Sequence, residues 1–203
     1  MRVLVACESS GIVRDEFLKL GHDAISCDLK PTERPGPHHQ GDVREILGQP
    51  WDLLVAHPVC RRLANSGVRW LHERPEYMAQ VRPAAEFFML FDQAKHIPMR
   101  AVENPVMHKY GRAIVGRKAD QYFHPHFFGS PFQKLTGLWL HGLPGLIRTH
   151  WPKDYPPGTA FVQAVWLMGP SPTREEDRSR TDPLIAKAMA EQWSKYAKRL
   201  IAA

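Results

Sequence analysis

The sequence predicts an α/β fold built on a mostly parallel, doubly wound sheet. Short apolar runs rich in Val, Leu, Ile and Ala recur along the first half of the chain, and stretches with helical periodicity separate them. Small or polar residues follow each apolar run. Strands that alternate with helices favour parallel pairing, because each crossover helix returns the chain to the same edge of the sheet. We expect one domain over residues 1–203.

The first elements predict a βαβ unit. Residues 2–6 have the pattern of a buried strand, and residues 12–20 place their apolar side chains near one helical face. Gly21 is positioned to end that helix as a C-cap. A second strand is predicted for residues 23–27, ending at Asp28, and a Pro-rich loop covers residues 30–40.

The third strand leads to a cysteine. A short helix is predicted near residues 43–47, followed by a strand at 51–56 that runs into the segment His57-Pro58-Val59-Cys60. A basic loop at residues 61–74 comes next.

The fourth strand leads to a carboxylate. A long helix is predicted for residues 75–94, and Pro83 is expected to kink or divide it. A strand at 97–102 follows and ends at Glu103-Asn104-Pro105. In a parallel sheet the carboxyl ends of neighbouring strands meet at one edge, so the cysteine and the carboxylate are expected to converge there.

The second half of the chain predicts a strand pair and a long final helix. Residues 121–123 and 135–140 read as two strands in a hairpin relation, and residues 142–180 as an irregular Pro- and Gly-rich excursion. The last helix is expected to begin at Pro183, which suits the first helical position, with Thr181 or Asp182 as the candidate cap.

Composition and charge restrict the classes of protein and of binding partner that the sequence allows. The formal net charge of +6 favours a polyanionic partner, with nucleic acid the leading candidate, against a mildly basic enzyme without one. Three cysteines without a C-x-x-C pair indicate neither a disulfide scaffold nor a zinc ribbon. No apolar run approaches the roughly 18 residues of a membrane span. We expect a soluble, cytoplasmic protein that has no membrane partner.

The turn after the first strand is a candidate cofactor site. Ser9, Ser10 and Gly11 precede a helix N-terminus, and Asp28 ends the second strand, where an acidic residue accepts hydrogen bonds from ribose hydroxyls. An ordinary strand-to-helix turn explains the same residues. Asp42 is a candidate for reading an adenine amino group, and equally for capping the following helix.

Cys60 and Glu103 form the candidate catalytic pair. Arg61 and Arg62 follow the cysteine and are expected to favour its thiolate. Burial of Glu103 at a strand end predicts a raised pKa, which would let this carboxyl group donate a proton. Together the two groups suit attack on a ring that is protonated as it is attacked.

Two further basic segments have open interpretations. The segment His124-Pro125-His126 has no third ligand of suitable spacing, so these histidines read as structural or phosphate-contacting groups, and no metal is predicted. The run that contains Lys109 and Arg112 reads either as a solvated helix face or as a phosphate contact.

In order along the chain, these segments resemble the motifs of the cytosine-5 DNA methyltransferase family, and in particular its short bacteriophage and prophage members. Cys7-Glu8-Ser9-Ser10-Gly11 resembles the cofactor loop, Asp28 the ribose-binding acid, and Gly41-Asp42-Val43 the adenine-reading segment. The segment that ends at Cys60 resembles the Pro-Pro-Cys nucleophile loop, and Glu103-Asn104-Pro105 resembles Glu-Asn-Val. Residues 129–136 resemble a degraded Gln-x-Arg-x-Arg strand, and residues 182–186 the last cofactor-side motif.

The resemblance implies a Rossmann-like fold of the S-adenosylmethionine-dependent methyltransferases and methyl transfer to carbon 5 of cytosine in DNA, single-stranded or with the base flipped. It implies catalytic roles for Cys60, Glu103 and Lys134. The residues implied in cofactor binding are Cys7, Glu8, Ser9, Ser10, Gly11, Asp28, Asp42 and Pro58. The residues implied in nucleic-acid binding are Arg61, Arg62, Arg69, Lys109 and Arg112.

Several positions depart from the family pattern. One glycine stands where the cofactor loop has three, Val59 replaces a proline, and Lys134 and Thr136 replace two arginines. The segment after the degraded strand is too short for the usual target-recognition domain. Transfer to RNA or to a free nucleotide, and a non-catalytic nucleic-acid-binding relative, are the alternatives that these departures leave open.

Overall fold

The computed structural model describes residues 1–163 and 167–201, and within them seven strands form one sheet in the order β3-β2-β1-β4-β5-β7-β6. The strands are β1 (Arg2–Ala6), β2 (Asp23–Asp28), β3 (His38–Gln40), β4 (Leu53–Ala56), β5 (Met99–Pro105), β6 (Gln121–Phe123) and β7 (Thr136–His141). The first five strands in the sheet order pair in parallel. Strand β7 is antiparallel to both β5 and β6. The predicted Rossmann-like, mostly parallel sheet with its hairpin-like pair is confirmed.

Helices cover both faces of this sheet. They are α1 (Ile12–Lys19), α2 (Arg44–Leu47), α3 (Val68–Glu73), α4 (Pro75–Ala79), α5 (Val81–Asp92), α6 (Lys109–Val115), α7 (Arg174–Ser179) and α8 (Pro183–Ile201). Short 3-10 helices lie at Asn65–Gly67, Pro125–Phe128 and Pro152–Asp154. No helix in the described ranges is both long enough and apolar enough to span a bilayer.

The strands are apolar along their whole length because both faces of the sheet are buried. Along β1, Val3 and Val5 face one core, in which Phe17 of α1 and Trp193 of α8 pack. The intervening side chains of β1 face the second core, which contains residues of α2, α5 and α6. There the rings of Phe88 and Trp139 meet edge to face with their centroids 5.0 Å apart. Because successive side chains of a strand point to opposite faces of the sheet, each face packs against its own set of helices.

Several local predictions are corrected. The Pro-rich loop contains a third parallel strand, β3, and the basic loop at 61–74 contains helix α3. The helix predicted for 75–94 is divided into α4 and α5. Pro83 lies in the first turn of α5, where its missing N–H removes no helical hydrogen bond, and it prevents α4 from continuing through that turn.

The second half also has more structure than predicted. Helix α7 lies within the predicted irregular excursion at 142–180, of which residues 164–166 are outside the described residues. Helix α8 begins at Pro183, and Oδ1 of Asp182 accepts a hydrogen bond of 2.9 Å from the N–H of Leu184, as the capping prediction requires. Strand β5 extends to Pro105, so Glu103 lies inside the strand and not after it.

Candidate active site

One row of side chains lies at the carboxyl edge of the parallel strands. Ala6 is level with Cys27 of β2 and Ala56 of β4, and Ala56 is level with Val102 of β5. The next residue on each strand therefore belongs to one row, which reads across the sheet Asp28, Cys7, His57 and Glu103. Strands β2 and β3 lie on one side of β1, and β4 and β5 lie on its other side. The direction of strand order therefore reverses between β1 and β4, and we call this position the switch point. Ligands of open α/β sheets bind at such a point.

On the β1 side of the switch point, the turn is built around a buried carboxylate. Glu8 is 5% exposed, and its carboxylate accepts hydrogen bonds from the N–H of Val13 at 2.7 Å, from the N–H of Arg14 at 3.3 Å and from the hydroxyl of Ser10 at 3.1 Å. These bonds satisfy N–H groups of the first turn of α1. Glu8 and Ser10 therefore build the turn, and the direct cofactor contact expected of both stays a prediction.

Two residues of this turn have left-handed backbone conformations. Gly11 has a φ of 68°, and a Cβ atom there would lie 2.4 Å from Nη2 of Arg14. Cys7 has a φ of 59°, which is the one positive φ of a non-glycine residue in the described part of the chain. Such a conformation costs free energy in a residue that has a Cβ atom. Burial raises the pKa of the Cys7 thiol far above its ordinary value, so this thiol is neutral and is not a competing nucleophile.

Arg14 fixes the loop between β2 and β3 and was not singled out by the sequence. Its side chain is fully buried. Its guanidinium pairs with Asp15 at 2.7 Å and donates to the backbone carbonyls of Arg34 at 3.3 Å and Pro35 at 3.2 Å. The single sequence signal was an arginine next to Val13 and directly before Asp15 in the first turn of a helix.

The two acidic residues on this side have different surroundings. Asp28 ends β2, is half-buried, and accepts a hydrogen bond of 3.0 Å from the N–H of Lys30. Asp42 accepts one of 2.9 Å from the N–H of Arg44 and pairs with the Arg44 guanidinium, and these bonds lower its pKa. The capping interpretation of Asp42 therefore has structural support, whereas Asp28 is the acid at the sheet edge.

On the β4 side of the switch point, Glu103 and His57 form a buried pair. Oε2 of Glu103 lies 3.1 Å from Nδ1 of His57, and the two side chains are 13% and 8% exposed. Burial by itself raises the pKa of Glu103, but the hydrogen bonds from His57 and Thr136 and the positive charge of Lys134 lower it below its ordinary value. The prediction of a raised pKa is wrong, because the sequence did not show these three partners.

The Cys60 thiol shares this environment. Burial and the negative charge of Glu103 raise the pKa of Cys60, while the positive charges of Lys134 and Arg178 act in the opposite direction. The cations that lower the pKa of Cys60 include Lys134 and Arg178, which lie far from it in sequence. Because Glu103 and Lys134 act on the thiol, and Lys134 also acts on Glu103, the structure brings the predicted catalytic residues together.

The loop after Cys60 is held against the extension of β5. The N–H of Asn65 donates to the carbonyl of Val106 at 2.7 Å, and the N–H of His108 donates to the carbonyl of Leu63 at 2.9 Å. Nδ1 of the buried His108 accepts from the N–H of Gly111, which leaves Nε2–H to donate to the carbonyl of Arg62 at 2.7 Å. This histidine, which the sequence did not single out, fixes the position of the loop that carries the thiol.

Helix α7 contacts both halves of the site. Nζ of Lys134 donates to the carbonyl of Arg178 at 3.1 Å. On the β1 side of the switch point, Arg180 pairs with Glu33 at 2.9 Å, and Lys30 pairs with Glu176. The backbone of Arg178 is bound by Lys134, and the Arg178 side chain acts on Cys60. Because residue 178 is far from Cys60 in sequence, local patterns could not predict this proximity.

The predicted nucleic-acid-binding residues lie in two segments, one directly after Cys60 and one on α6, which follows β5. The guanidinium of Arg62 stacks on Tyr77 at 3.6 Å and that of Arg69 on Trp70 at 4.4 Å. Arg61 is exposed on the same loop. On α6, Nζ of Lys109 lies 5.0 Å from the ring of Tyr110, and Arg112 is exposed. Pro58 lies between His57 and Cys60, at the edge of the same site.

The histidines of the segment His124-Pro125-His126 pack as rings. They stack on each other with centroids 5.0 Å apart, and His126 also stacks on Phe161 at 4.4 Å. In residues 1–163 and 167–201, no group of three or more His, Cys, Asp or Glu side chains is arranged to hold a metal ion. The structural interpretation of these histidines is the one that the contacts support.

Comparisons with known proteins give no close relative. No family model matches the chain, and no curated protein matches it. Among solved structures, the chain is similar to the methyltransferase EhMeth of Entamoeba histolytica, with 13% identity and a TM-score of 0.46. The match covers 73% of this chain and 56% of that one. A likeness this distant carries no argument about activity, which has to be made from the site itself.

Proposed function

We propose that this protein transfers a methyl group from S-adenosylmethionine to carbon 5 of a cytosine in DNA, with Cys60 as the nucleophile. The observation that carries the proposal is the position of Cys60 and the buried Glu103 after and on the neighbouring parallel strands β4 and β5, with Lys134 near enough to act on both. This set of groups matches what attack on a pyrimidine ring requires: a nucleophile, a group at the ring nitrogen and a cation near the ring carbonyl.

The residues present fit the cofactor in two respects. Asp28 ends β2 at the sheet edge, where a carboxylate accepts hydrogen bonds from ribose hydroxyls. Cys7 and Pro58 border the switch point from β1 and β4 and would form the walls of its crevice. The first turn of α1, in contrast, already holds the carboxylate of Glu8, so it offers its N–H groups to this side chain and not to a ligand.

When bound, S-adenosylmethionine supplies an electrophilic methyl group and leaves as S-adenosylhomocysteine. Cys60 loses its proton and its sulfur forms a bond to carbon 6 of the ring. The ring gains a proton at N3, through Glu103, as it gains the sulfur, so carbon 5 becomes nucleophilic without a full negative charge on the ring. After methylation, carbon 5 gives up its proton to water, and the bond between sulfur and carbon 6 breaks. The proton at N3 returns to the sulfur through Glu103, which restores the aromatic ring and the thiol.

The charges around Cys60 suit this sequence of steps. In the free protein the pKa of the thiol is raised, so the sulfur stays protonated and unreactive until a base enters. A bound ring lies beside Glu103 and allows the proton to move from sulfur to ring nitrogen. Lys134 and Arg178 favour the thiolate and would stabilise negative charge at the ring carbonyl.

Nucleic acid is the acceptor that the surface favours. The formal charge is +6, and the arginines after Cys60 lie against the rings of Trp70 and Tyr77. Cations interleaved with aromatic rings suit single-stranded nucleic acid, because the cations contact its phosphates and the rings stack on its bases. A base that is attacked at carbon 6 has to leave its stack, so a single strand or a flipped base is the expected form of the substrate.

The test is transfer of labelled methyl groups to cytosine-containing DNA, together with trapping on DNA that contains 5-fluorocytosine. A fluorine at carbon 5 blocks the final proton loss, so the wild-type protein is expected to form a stable covalent complex. Cys60→Ala should abolish both transfer and trapping, whereas Cys27→Ala, which removes a buried cysteine outside the site, should retain both. Full transfer by Cys60→Ala would reject the mechanism, and transfer to RNA or to free nucleotides alone would reject DNA as the acceptor.

A further inference from the structure

We infer that α7 and Arg180, the residue after it, form a clasp that positions Lys134 for the reaction. Glu176 and Arg180 fasten this clasp to the loop after β2, and the backbone of the clasp holds the ammonium group of Lys134. The inference deepens the proposed function and rests on it for the reaction that Lys134 serves. It makes Glu176 and Arg180 positioning residues, because they act on the reaction through Lys134.

Two ion pairs fasten the clasp on the β1 side of the switch point. Nε of Arg180 lies 2.9 Å from Oε2 of Glu33, and Glu176 pairs with Lys30. Both partners belong to the loop after β2, and the N–H of Glu33 donates to the carbonyl of Ser9 at 2.8 Å. The ion pairs therefore tie the clasp to a loop that is itself bonded to the turn before α1.

On the other side of the switch point, the clasp holds Lys134. Nζ of this lysine donates to the backbone carbonyl of Arg178 at 3.1 Å. A carbonyl group is neutral, so it fixes the ammonium group without cancelling its charge, and this charge acts on both Cys60 and Glu103. An ammonium group has three N–H donors. The bond to Arg178 uses one of them, which allows another to meet the ring carbonyl of a bound base.

The exposure of the ion pairs favours a positioning role over a structural one. The side chains of Arg180 and Glu33 are 37% and 35% exposed, and those of Lys30 and Glu176 are 58% and 44% exposed. Pairs this exposed contribute little to the stability of a fold and are weakened by salt. A displacement of about 1 Å at a catalytic group, in contrast, can slow a reaction by about 100-fold. A weak contact that sets the position of Lys134 therefore affects the rate more than the stability.

The test reverses the charges of one ion pair. Glu33→Arg and Arg180→Glu each bring like charges together, and the double variant with both substitutions restores opposite charges. We expect kcat for methyl transfer to fall about 10-fold or more in both single variants and to recover in large part in the double variant. The recovery is partial because Asp177, which also pairs with Arg180, then lies beside a negative charge.

Net charge is separated from the ion pair by the design of these variants. Glu33→Arg makes the protein more positive and Arg180→Glu makes it less positive, so KM for DNA should fall in the first and rise in the second. A loss of kcat in both variants therefore follows the broken pair and not the net charge. Glu86→Arg, at an exposed carboxylate on α5, repeats the charge change of Glu33→Arg and should leave kcat unchanged.

A second measurement does not depend on catalysis. Reductive methylation of the ligand-free protein, read by peptide mass mapping, reports how freely each lysine reacts, and the exposed Lys109 of α6 is the internal reference. Release of the clasp removes the carbonyl group from Lys134, so labelling of Lys134 relative to Lys109 should rise about 3-fold or more in both single variants. In the wild-type protein it should rise as salt is increased from about 0.01 M to about 1 M, because salt screens exposed ion pairs.

The outcomes separate the two proposals. Faster labelling of Lys134 in both single variants, with recovery in the double variant but no methyl transfer by the wild-type protein, would reject the proposed function and retain the clasp. Unchanged labelling in the single variants, changes of kcat that follow net charge, or no recovery in the double variant would overturn the inference. Loss of folding in either single variant, seen by circular dichroism, would show that the ion pair supports the fold and would overturn it as well.

Discussion

The two sides of the switch point satisfy their buried polar groups in different ways. On the β1 side, the carboxylate of Glu8 and the guanidinium of Arg14 find their partners within the chain, in the turn before α1 and the loop before β3. On the β4 side, His57 has a buried nitrogen without a partner among the described residues. The polar groups of the first side are satisfied within the chain, whereas the second side has a buried nitrogen that the described residues leave unpartnered.

The two sides of the switch point also differ in the charges that surround their cysteine thiols. The thiol on the β1 side, Cys7, is neutral because burial dominates its surroundings. The thiol on the β4 side, Cys60, lies among a carboxylate and two cations that act on it in opposite directions. Burial raises the pKa of both thiols, and at Cys60 the positive charges of Lys134 and Arg178 oppose this rise.

The strongest test of this contrast is removal of Glu103. Glu103→Ala takes away the proton path to the ring, and general acid-base groups contribute about 100- to 10,000-fold to rates, so methyl transfer should fall by that order. Removing the negative charge should also lower the pKa of Cys60, because Glu103 raises it. Alkylation of Cys60 by iodoacetamide near neutral pH should become faster while catalysis becomes slower.

Glu103→Gln is the matched control for shape. It also removes the charge and should show the same faster alkylation. Slower alkylation in both variants would mean that the charge of Glu103 does not reach the thiol, and the common site would be rejected.

The next largest effect is expected on stability, on the other side of the switch point. Glu8→Ala leaves N–H groups of α1 without their acceptor, which should lower the free energy of unfolding by about 2 kcal/mol. Urea denaturation measures it. Glu8→Gln keeps an acceptor and should lose less. A change below about 0.5 kcal/mol in Glu8→Ala, the size typical of a neutral surface substitution, would contradict the capping role.

The sequence predicted the scaffold better than the site. Apolar runs and helical periods define the strands, and parallel pairing by itself brings Cys60 and Glu103 to one edge of the sheet. The contact between His57 and Glu103 depends on the register of β4 against β5, which pairs Ala56 with Val102 and is set by packing over the whole sheet. Local patterns do not specify this register, so the lowered pKa of Glu103 could not be foreseen.

Two other features could not be predicted for the same reason. The hydrogen bonds by which Glu8 caps α1 exist only once the turn is formed. Arg178 acts on Cys60 from a helix more than a hundred residues later in the chain. The sequence neighbours of the thiol therefore do not reveal every charge that acts on it.

A smaller effect is expected from Arg178. Its charge lowers the pKa of Cys60, so Arg178→Ala should raise this pKa further and shift the alkaline rise of the alkylation rate to higher pH. We expect a small shift, because the Arg178 side chain is half-exposed and Lys134 remains. Arg174→Ala, in the same helix, is the control for helix integrity and should leave the profile unchanged. A shift to lower pH in Arg178→Ala would contradict the arrangement of charges around the thiol.

The smallest expected effect concerns the surface beyond the site. Arg69 lies 4.4 Å from the ring of Trp70 on α3, away from the buried pair. If it contacts one phosphate, Arg69→Ala should weaken DNA binding for all sequences alike and reduce the slope of log affinity against log salt concentration by about one. Fluorescence anisotropy with single-stranded oligonucleotides over a range of salt concentrations measures this slope. Arg82→Ala, on α5, removes an equal charge from another surface and should leave the slope unchanged. An equal loss of slope in both variants would show that binding follows net charge alone, and the arginines after Cys60 would then have no special part in holding the strand.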